Sequence, residues 1–127
     1  MRAVDTNVLV RLITRDDSRQ AAAADAFVEK GAWVSLLALA EASWVLATVY
    51  DRDPIGLADS IEMLLDHQNL VLQDPEVVTA ALVVFRARPP LGFSDCLMLE
   101  IARKAGHLPL GTFDRHLSRV EGSHKLR

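Results

Sequence analysis

Met1-Arg2-Ala3-Val4-Asp5-Thr6-Asn7 opens the chain and indicates its fold class, because a short apolar segment ends in polar side chains just before a helical pattern. Met1–Val4 predicts a short buried strand, and Val8-Leu9-Val10 predicts a helix start. In open parallel α/β sheets, ligands gather at the carboxyl ends of the strands. Asp5 is therefore a candidate functional carboxylate. The alternative is that Asp5 or Thr6 simply caps the helix that follows.

Strand and helix patterns alternate along the rest of the chain. Further strands are predicted at Ala32–Ser35, Leu70–Leu72 and Leu108–Gly111. Helices are predicted over 18–30, 36–50, 54–67, 75–88 and 94–105, with a short helix around Leu117 and Val120. This alternation predicts an α/β fold, a three-layer α/β/α sandwich around a central, mainly parallel sheet. At 127 residues we expect one domain over 1–127.

Composition and charge are those of an ordinary globular protein, 50% apolar and 24% charged. No secretory signal pattern opens the chain, and the single cysteine, Cys96, excludes an internal disulfide, so we expect a cytoplasmic protein. Residues 1–102 hold 8 Lys/Arg against 15 Asp/Glu, whereas residues 103–127 hold 6 against 2. A basic segment can steer a polyanion, and a solvated surface tail is the alternative.

The longest apolar run extends from Gly31 to Tyr50 and contains one carboxylate, Glu41. A charge at the middle argues against a membrane span. We expect the helix to be buried on most sides, partly against a second copy of the chain. The predicted dimer interface is the helix Leu36–Tyr50 with the helix Leu57–Leu65. A buried Glu41 with no Lys or Arg in reach on its own helix needs a partner from elsewhere in the fold.

Two further carboxylates, Asp95 and Asp114, fall at junctions that lead into helices. Each has a structural alternative, because Ser94 and Thr112 can cap those helices with the acids in or near the first turn. Together with Asp5 and Glu41, however, they can share a divalent cation that relieves their mutual repulsion. An all-oxygen site suits Mg²⁺ or Mn²⁺, and such a cation can promote phosphodiester hydrolysis.

Four segments resemble the acidic motifs of the PIN domain: Asp5-Thr6-Asn7-Val8-Leu9, Glu41 followed by Trp44-Val45-Leu46, Phe93-Ser94-Asp95, and Thr112-Phe113-Asp114. The resemblance covers essentially the whole chain. In length and motif spacing the chain is most similar to the VapC toxins of bacterial type II toxin–antitoxin pairs.

The resemblance implies a Mg²⁺-dependent ribonuclease, with Mn²⁺ as a possible substitute. Asp5 and Asp95 would be the principal metal ligands, Glu41 a ligand or the group that orients the attacking water, and Asp114 a ligand, directly, through water or at a second metal. Arg115 follows Asp114 where some PIN nucleases carry another acid, which argues against a second tightly held metal. Side chains implied to support the ligands or contact substrate are Thr6, Asn7, Ser94 and Thr112.

The resemblance also implies partners. They are a homodimer mate, a cognate antitoxin that places an Arg near the carboxylates, and structured RNA such as tRNA or ribosomal RNA. Arg115 and Arg119 are candidate contacts to RNA phosphates, as are Arg103, Lys104, Lys125 and Arg127. Two other functions stay open, a PIN-like module that binds RNA or protein without cleavage, and a phospho-receiver signalling domain. The receiver lacks support because no acidic pair follows the first strand.

Overall fold

The structure is a computed structural model that describes residues 1–88 and 90–127. Pro89, which was predicted with Pro90 to end a helix, lies outside the described residues. The described part contains six α-helices and a three-stranded parallel sheet, which confirms the predicted α/β class and is consistent with a PIN-like α/β/α fold. Residues 1–75 and residues 76–127 form two compact units. That both belong to one domain stays a prediction.

The sheet of the first unit consists of β1 (Arg2–Ala3), β2 (Ala32–Val34) and β3 (Leu70–Leu72), in the order β1-β2-β3. All neighbours run parallel, with Arg2 opposite Ala32 and Ala32 opposite Leu70. Side chains alternate along β2, since Ala32 and Val34 are buried while Trp33 is exposed. The sequence located all three strands to within one or two residues, but the predicted burial of the first is wrong, since Met1, Arg2 and Ala3 are exposed and only Val4 is buried.

Four helices surround this sheet: α1 (Thr6–Thr14), α2 (Ser18–Val28), α3 (Leu36–Thr48) and α4 (Pro54–Asp66). α1 packs on α2 and α3, α3 also packs on α4, and α4 packs on β3. Polar side chains cap the starts, as predicted for Asp17 and Asp53, and Ser35 caps α3. A cap accepts hydrogen bonds from backbone N–H groups that have no partner inside the helix, so these starts are fixed locally.

Within one chain, one side of α3 is buried, and the predicted burial of the rest against a second copy of the chain stays a prediction. Leu39 and Leu46 are buried, but Leu37, Trp44 and Val49 are 70%, 63% and 65% exposed. Most side chains of α3 are apolar, and the helices packed on it leave several of them exposed. Within residues 1–88 and 90–127, no helix is both long enough and apolar enough to cross a membrane.

The second unit contains α5 (Pro75–Ala87), whose first residue ends the first unit, together with α6 (Phe93–Ala105), β4 (Leu110–Thr112), a 3₁₀ turn (Leu117–Arg119) and β5 (Ser123–Lys125). Phe85 and Phe93 meet edge to face with ring centroids 5.8 Å apart. Gly106 ends α6 in the left-handed conformation, as its position predicted. β5 pairs parallel to β4 and was not predicted from the sequence.

Arg103 holds the turn that leads into β5. Its guanidinium bonds Glu100 at 3.1 Å and the carbonyl of Glu121 at 2.8 Å, so it links α6 to the turn before β5. Lys104 forms an ion pair with Glu76. Both side chains thus bind protein groups, and their predicted contact with RNA phosphates stays a prediction.

Candidate functional site

Asp5 lies at the junction between β1 and α1. Its backbone is extended and its Oδ1 accepts a hydrogen bond from the backbone N–H of Val8 at 3.1 Å. The capping alternative is therefore confirmed for Asp5, while Thr6 is already inside the helix. Capping uses one carboxylate oxygen and leaves Oδ2 for another ligand. The side chain is exposed, at a helix end whose dipole favours negative charge.

Glu41 meets the first motif through Thr6. The Thr6 hydroxyl donates to Glu41 Oε2 at 2.8 Å, across 35 positions of sequence, because α1 packs on α3. The prediction of a buried Glu41 is wrong, since the residue is exposed. Burial therefore gives no reason for a compensating partner. The position of Glu41 beside the start of α1 is what makes it a candidate.

Asn7 follows in the first turn of α1 and is exposed. Together with Asp5 it lines an open groove of about 490 Å³ between α1 and α2. Arg11 and Gln20 form the polar part of this groove, and Phe27 contributes an aromatic side chain. Asn7 thus lies where a molecule held near Asp5 can be contacted.

Asp95 occupies the first turn of α6. Its predicted cap, Ser94, is inside the helix, and the N-cap is Gly92, which has no side chain to accept a bond. Instead, the Asp95 carboxylate reaches back to Gly92, where an added Cβ would lie 3.4 Å from Asp95 Oδ2. Burial raises the pKa of Asp95 above its ordinary value, the charge of Asp114 adds to the rise, and the backbone N–H of Gly92 opposes it.

Asp114 follows β4, and its surroundings shift its pKa in the direction opposite to that of Asp95. The N–H of Leu117 donates to Asp114 Oδ1 at 2.8 Å, and this bond above all lowers the pKa of Asp114, with smaller help from His116. Thr112 does not cap a helix as proposed. Its hydroxyl accepts the N–H of Asp114 at 3.0 Å and closes a local turn. The turn fixes the direction in which Asp114 leaves the strand.

Asp95 and Asp114 therefore interact as a carboxylate pair within residues 76–127. Within residues 1–75, Glu41 is bound by Thr6, the residue that follows Asp5. In residues 1–88 and 90–127, no group of three or more His, Cys, Asp and Glu side chains is arranged to hold a metal ion. Mg²⁺, however, usually binds one or two carboxylates and completes its shell with water and substrate phosphate. The donor set, which is all oxygen and includes two carboxylates whose charges repel, fits such an ion.

A PIN domain family model matches residues 2–123 and so includes all four acidic motifs. The chain belongs to the PIN domain family. No curated protein and no solved structure matches it. PIN domains are generally nucleases, so the family implies a nuclease-type fold and a nucleic acid substrate. This membership decides against the phospho-receiver alternative.

The predicted phosphate contacts Arg115 and Arg119 are both exposed after Asp114. Sequence reasoning missed two neighbours of the acids, the Gly92 N–H and the His116 side chain. The signal for Gly92 was its position directly before an apolar helix start. The influence of His116 on Asp114 had no comparable signal, because a histidine two residues after an acid is common in surface loops.

Proposed function

We propose that this PIN domain protein is a Mg²⁺-dependent endoribonuclease, active also with Mn²⁺, that hydrolyses RNA phosphodiester bonds with Asp5, Glu41, Asp95 and Asp114. Family membership and the presence of all four acidic motifs support the proposal. The reaction leaves a 5′-phosphate and a 3′-hydroxyl.

The hydrogen bond from Thr6 to Glu41 is the observation that carries the proposal. An exposed glutamate on a helix surface gains little from packing, and its side chain has several rotatable bonds to restrain. Here a hydroxyl from the first motif holds the carboxylate of the second beside the start of α1. Such restraint is expected where a carboxylate must hold a cation or a water in one place.

The four acids have different roles in the proposal. Asp5 and Asp95 are the principal ligands, Asp114 is a further ligand, and Glu41 is a ligand or holds the attacking water. When bound, Mg²⁺ lowers the pKa of that water and neutralises charge on the phosphate and on the leaving oxygen. Asn7, Ser94 and Thr112 support these groups or contact the strand.

The test is cleavage of total cellular RNA by the purified protein with Mg²⁺, with EDTA, and with the Asp5→Asn variant. Asn caps helices about as well as Asp, so the variant keeps the cap of α1 and removes only the charge. We expect discrete products from the wild type and from the exposed control Glu29→Gln, and none from Asp5→Asn or in EDTA. A folded wild type that binds RNA without cutting it would instead favour the non-catalytic alternative.

We also propose that the protein is the toxin of a VapBC-type pair, with tRNA or ribosomal RNA as target and a cognate antitoxin as inhibitor. The length and motif spacing of the chain support this. Expression of the wild type, but not of Asp95→Asn, should stop growth. Normal growth with a fully active enzyme present would contradict the toxin role. With such a target and such an inhibitor, a cytoplasmic location is part of the proposal.

A homodimer is part of the proposal. Exposed apolar side chains on and next to α3 and α4 support an interface there: Leu37, Trp44, Val49, Ile55 and Met63. Burying such side chains is the main favourable term in protein association. The proposed unit of function is therefore a pair of chains, each with one domain over residues 1–127.

A further inference from the structure

Beside the loop that carries Asp114, residues 76–127 contain a pocket of about 340 Å³. The lining side chains are Ala87, Arg88, Pro90, Leu91, His116 and Arg119. Two are arginines and a third is a histidine, and none is a carboxylate. The rest of the lining is apolar, and of its side chains only Leu91 is buried.

The two arginines differ from Arg103 and Lys104 of the same unit. Arg103 pairs with Glu100, and Lys104 pairs with Glu76. Arg88 and Arg119 take part in no ion pair within the described ranges 1–88 and 90–127, and both are exposed. Guanidinium groups stay charged at any physiological pH, so both can pair with an anion held in the pocket.

His116 connects the pocket with the candidate site. It lines the pocket and lies two residues after Asp114 in the loop that follows β4. We propose that the pocket holds a backbone phosphate of the nucleic acid strand, bound by Arg88 and Arg119, next to the phosphate that is cut. A guanidinium offers a planar pair of N–H donors that matches phosphate oxygens. The inference rests on the proposed function in taking the anion to be part of an RNA strand.

RNA binding by the full chain in EDTA tests the pocket without any cleavage. Affinity for a fluorescent single-stranded RNA is measured over a range of salt for Arg88→Gln, Arg119→Gln and the double variant. Each single variant should bind roughly tenfold more weakly, the cost of one charge-assisted bond. It should also lower the slope of log K against log salt by about 0.7, the loss of one phosphate contact.

Two controls separate charge from structure. Arg88→Lys keeps the charge and should keep the salt slope, and Arg19→Gln on α2 should bind as the wild type does. Thermal melting of each variant shows that the fold is retained. In a second arm, inorganic phosphate is titrated into the labelled protein, and the amide signals of Leu91 and of residue 119 should shift in the wild type but not in the double variant.

The outcomes separate the pocket from the nuclease proposal. Unchanged RNA affinity and salt slope in the double variant would overturn the pocket assignment, even if the wild type cuts RNA. A double variant with weaker RNA binding and a smaller salt slope, together with a wild type that cleaves no RNA, would support the pocket assignment and contradict the nuclease proposal. Phosphate shifts with unchanged RNA binding would assign the pocket to free phosphate and overturn its assignment to the strand.

Discussion

Asp95 and Asp114 are the same residue type, yet their pKa values move in opposite directions. Asp95 is half-buried and lies near the charge of Asp114, so its ionised form is disfavoured and its pKa is raised. Asp114 is exposed and accepts the N–H of Leu117, so its carboxylate is favoured. The cause in both cases is the immediate neighbourhood and not the side chain itself. A cation near this pair would stabilise both ionised forms.

Thr6 is a positioning residue in the proposal, and its hydroxyl can be removed alone. Thr6→Val should lower the rate of RNA cleavage by about 10- to 100-fold, the usual effect of losing a group that orients a ligand. Thr6→Ser keeps the hydroxyl and should restore most of the rate, with melting temperatures close to wild type for both. Equal activity of the Val variant in Mg²⁺ titrations would show that Glu41 does not need this bond.

At the scale of elements, α1 is tied to the loop after it and to the chain after α3 by one polar cluster. The Tyr50 hydroxyl donates to Asp16 Oδ2 at 2.8 Å and accepts from Arg11 Nη1 at 2.9 Å. Arg11 also bonds Asp16 Oδ1 at 3.0 Å. These bonds join the carboxyl end of α1 to the chain just after α3. One member of the cluster, Arg11, also lines the groove beside Asp5.

This cluster predicts a pH dependence of stability. The Tyr50 bond above all, then Thr14, holds the pKa of Asp16 below its ordinary 3.8. A lowered folded pKa means stabilisation that is present above the unfolded pKa and lost as pH falls through the folded pKa. Denaturant unfolding of Asp16→Asn should therefore show lower stability than wild type at pH 6 and a smaller decrease on going to pH 3. Tyr50→Phe should likewise be less stable than wild type at pH 6 and lose less stability on going to pH 3. If the stability of both variants falls with pH as steeply as that of the wild type, this role of the Asp16–Tyr50 bond is contradicted.

The turn before β5 depends on Gly122. Its φ is +97°, and a Cβ there would lie 3.0 Å from Nη2 of Arg103. Gly122→Ala should destabilise the protein by about 1–2 kcal/mol, the cost of a left-handed conformation for a residue with a Cβ. Gly111→Ala is the matched control, because its Cβ would meet Leu126 at an ordinary 3.5 Å. Equal unfolding free energies for the two variants would show that the turn relaxes.

At the scale of the whole molecule, the exposed apolar residues of α3 predict the oligomeric state. Trp44→Glu should weaken the proposed homodimer by about 2 kcal/mol or more, the usual cost of losing a central aromatic side chain. Val83→Glu, an equally exposed apolar position on α5, should leave the dimer intact. Sedimentation velocity over a concentration series measures both. A wild type that is monomeric at all concentrations would contradict the interface.

The sequence by itself determined the features that depend on neighbours along the chain. The caps at Asp17 and Asp53, the three strands of the first sheet, and the stop at Gly106 follow from local backbone chemistry. The sequence also showed the four acidic motifs in order, and the PIN family match includes all four of them. Each of these depends on residues a few positions apart, so their identity is enough to predict them.

Only the tertiary structure decided which distant groups meet. The sequence could not show that Glu41 is exposed and held by Thr6, because the face of α3 that packs is chosen by α1 and α4. It missed β5, a polar strand that forms through pairing with β4. It also missed Arg88, which joins Arg119 in one pocket from 31 positions away. Burial, charge repulsion and hydrogen bonding at these places depend on the folded arrangement and not on local pattern.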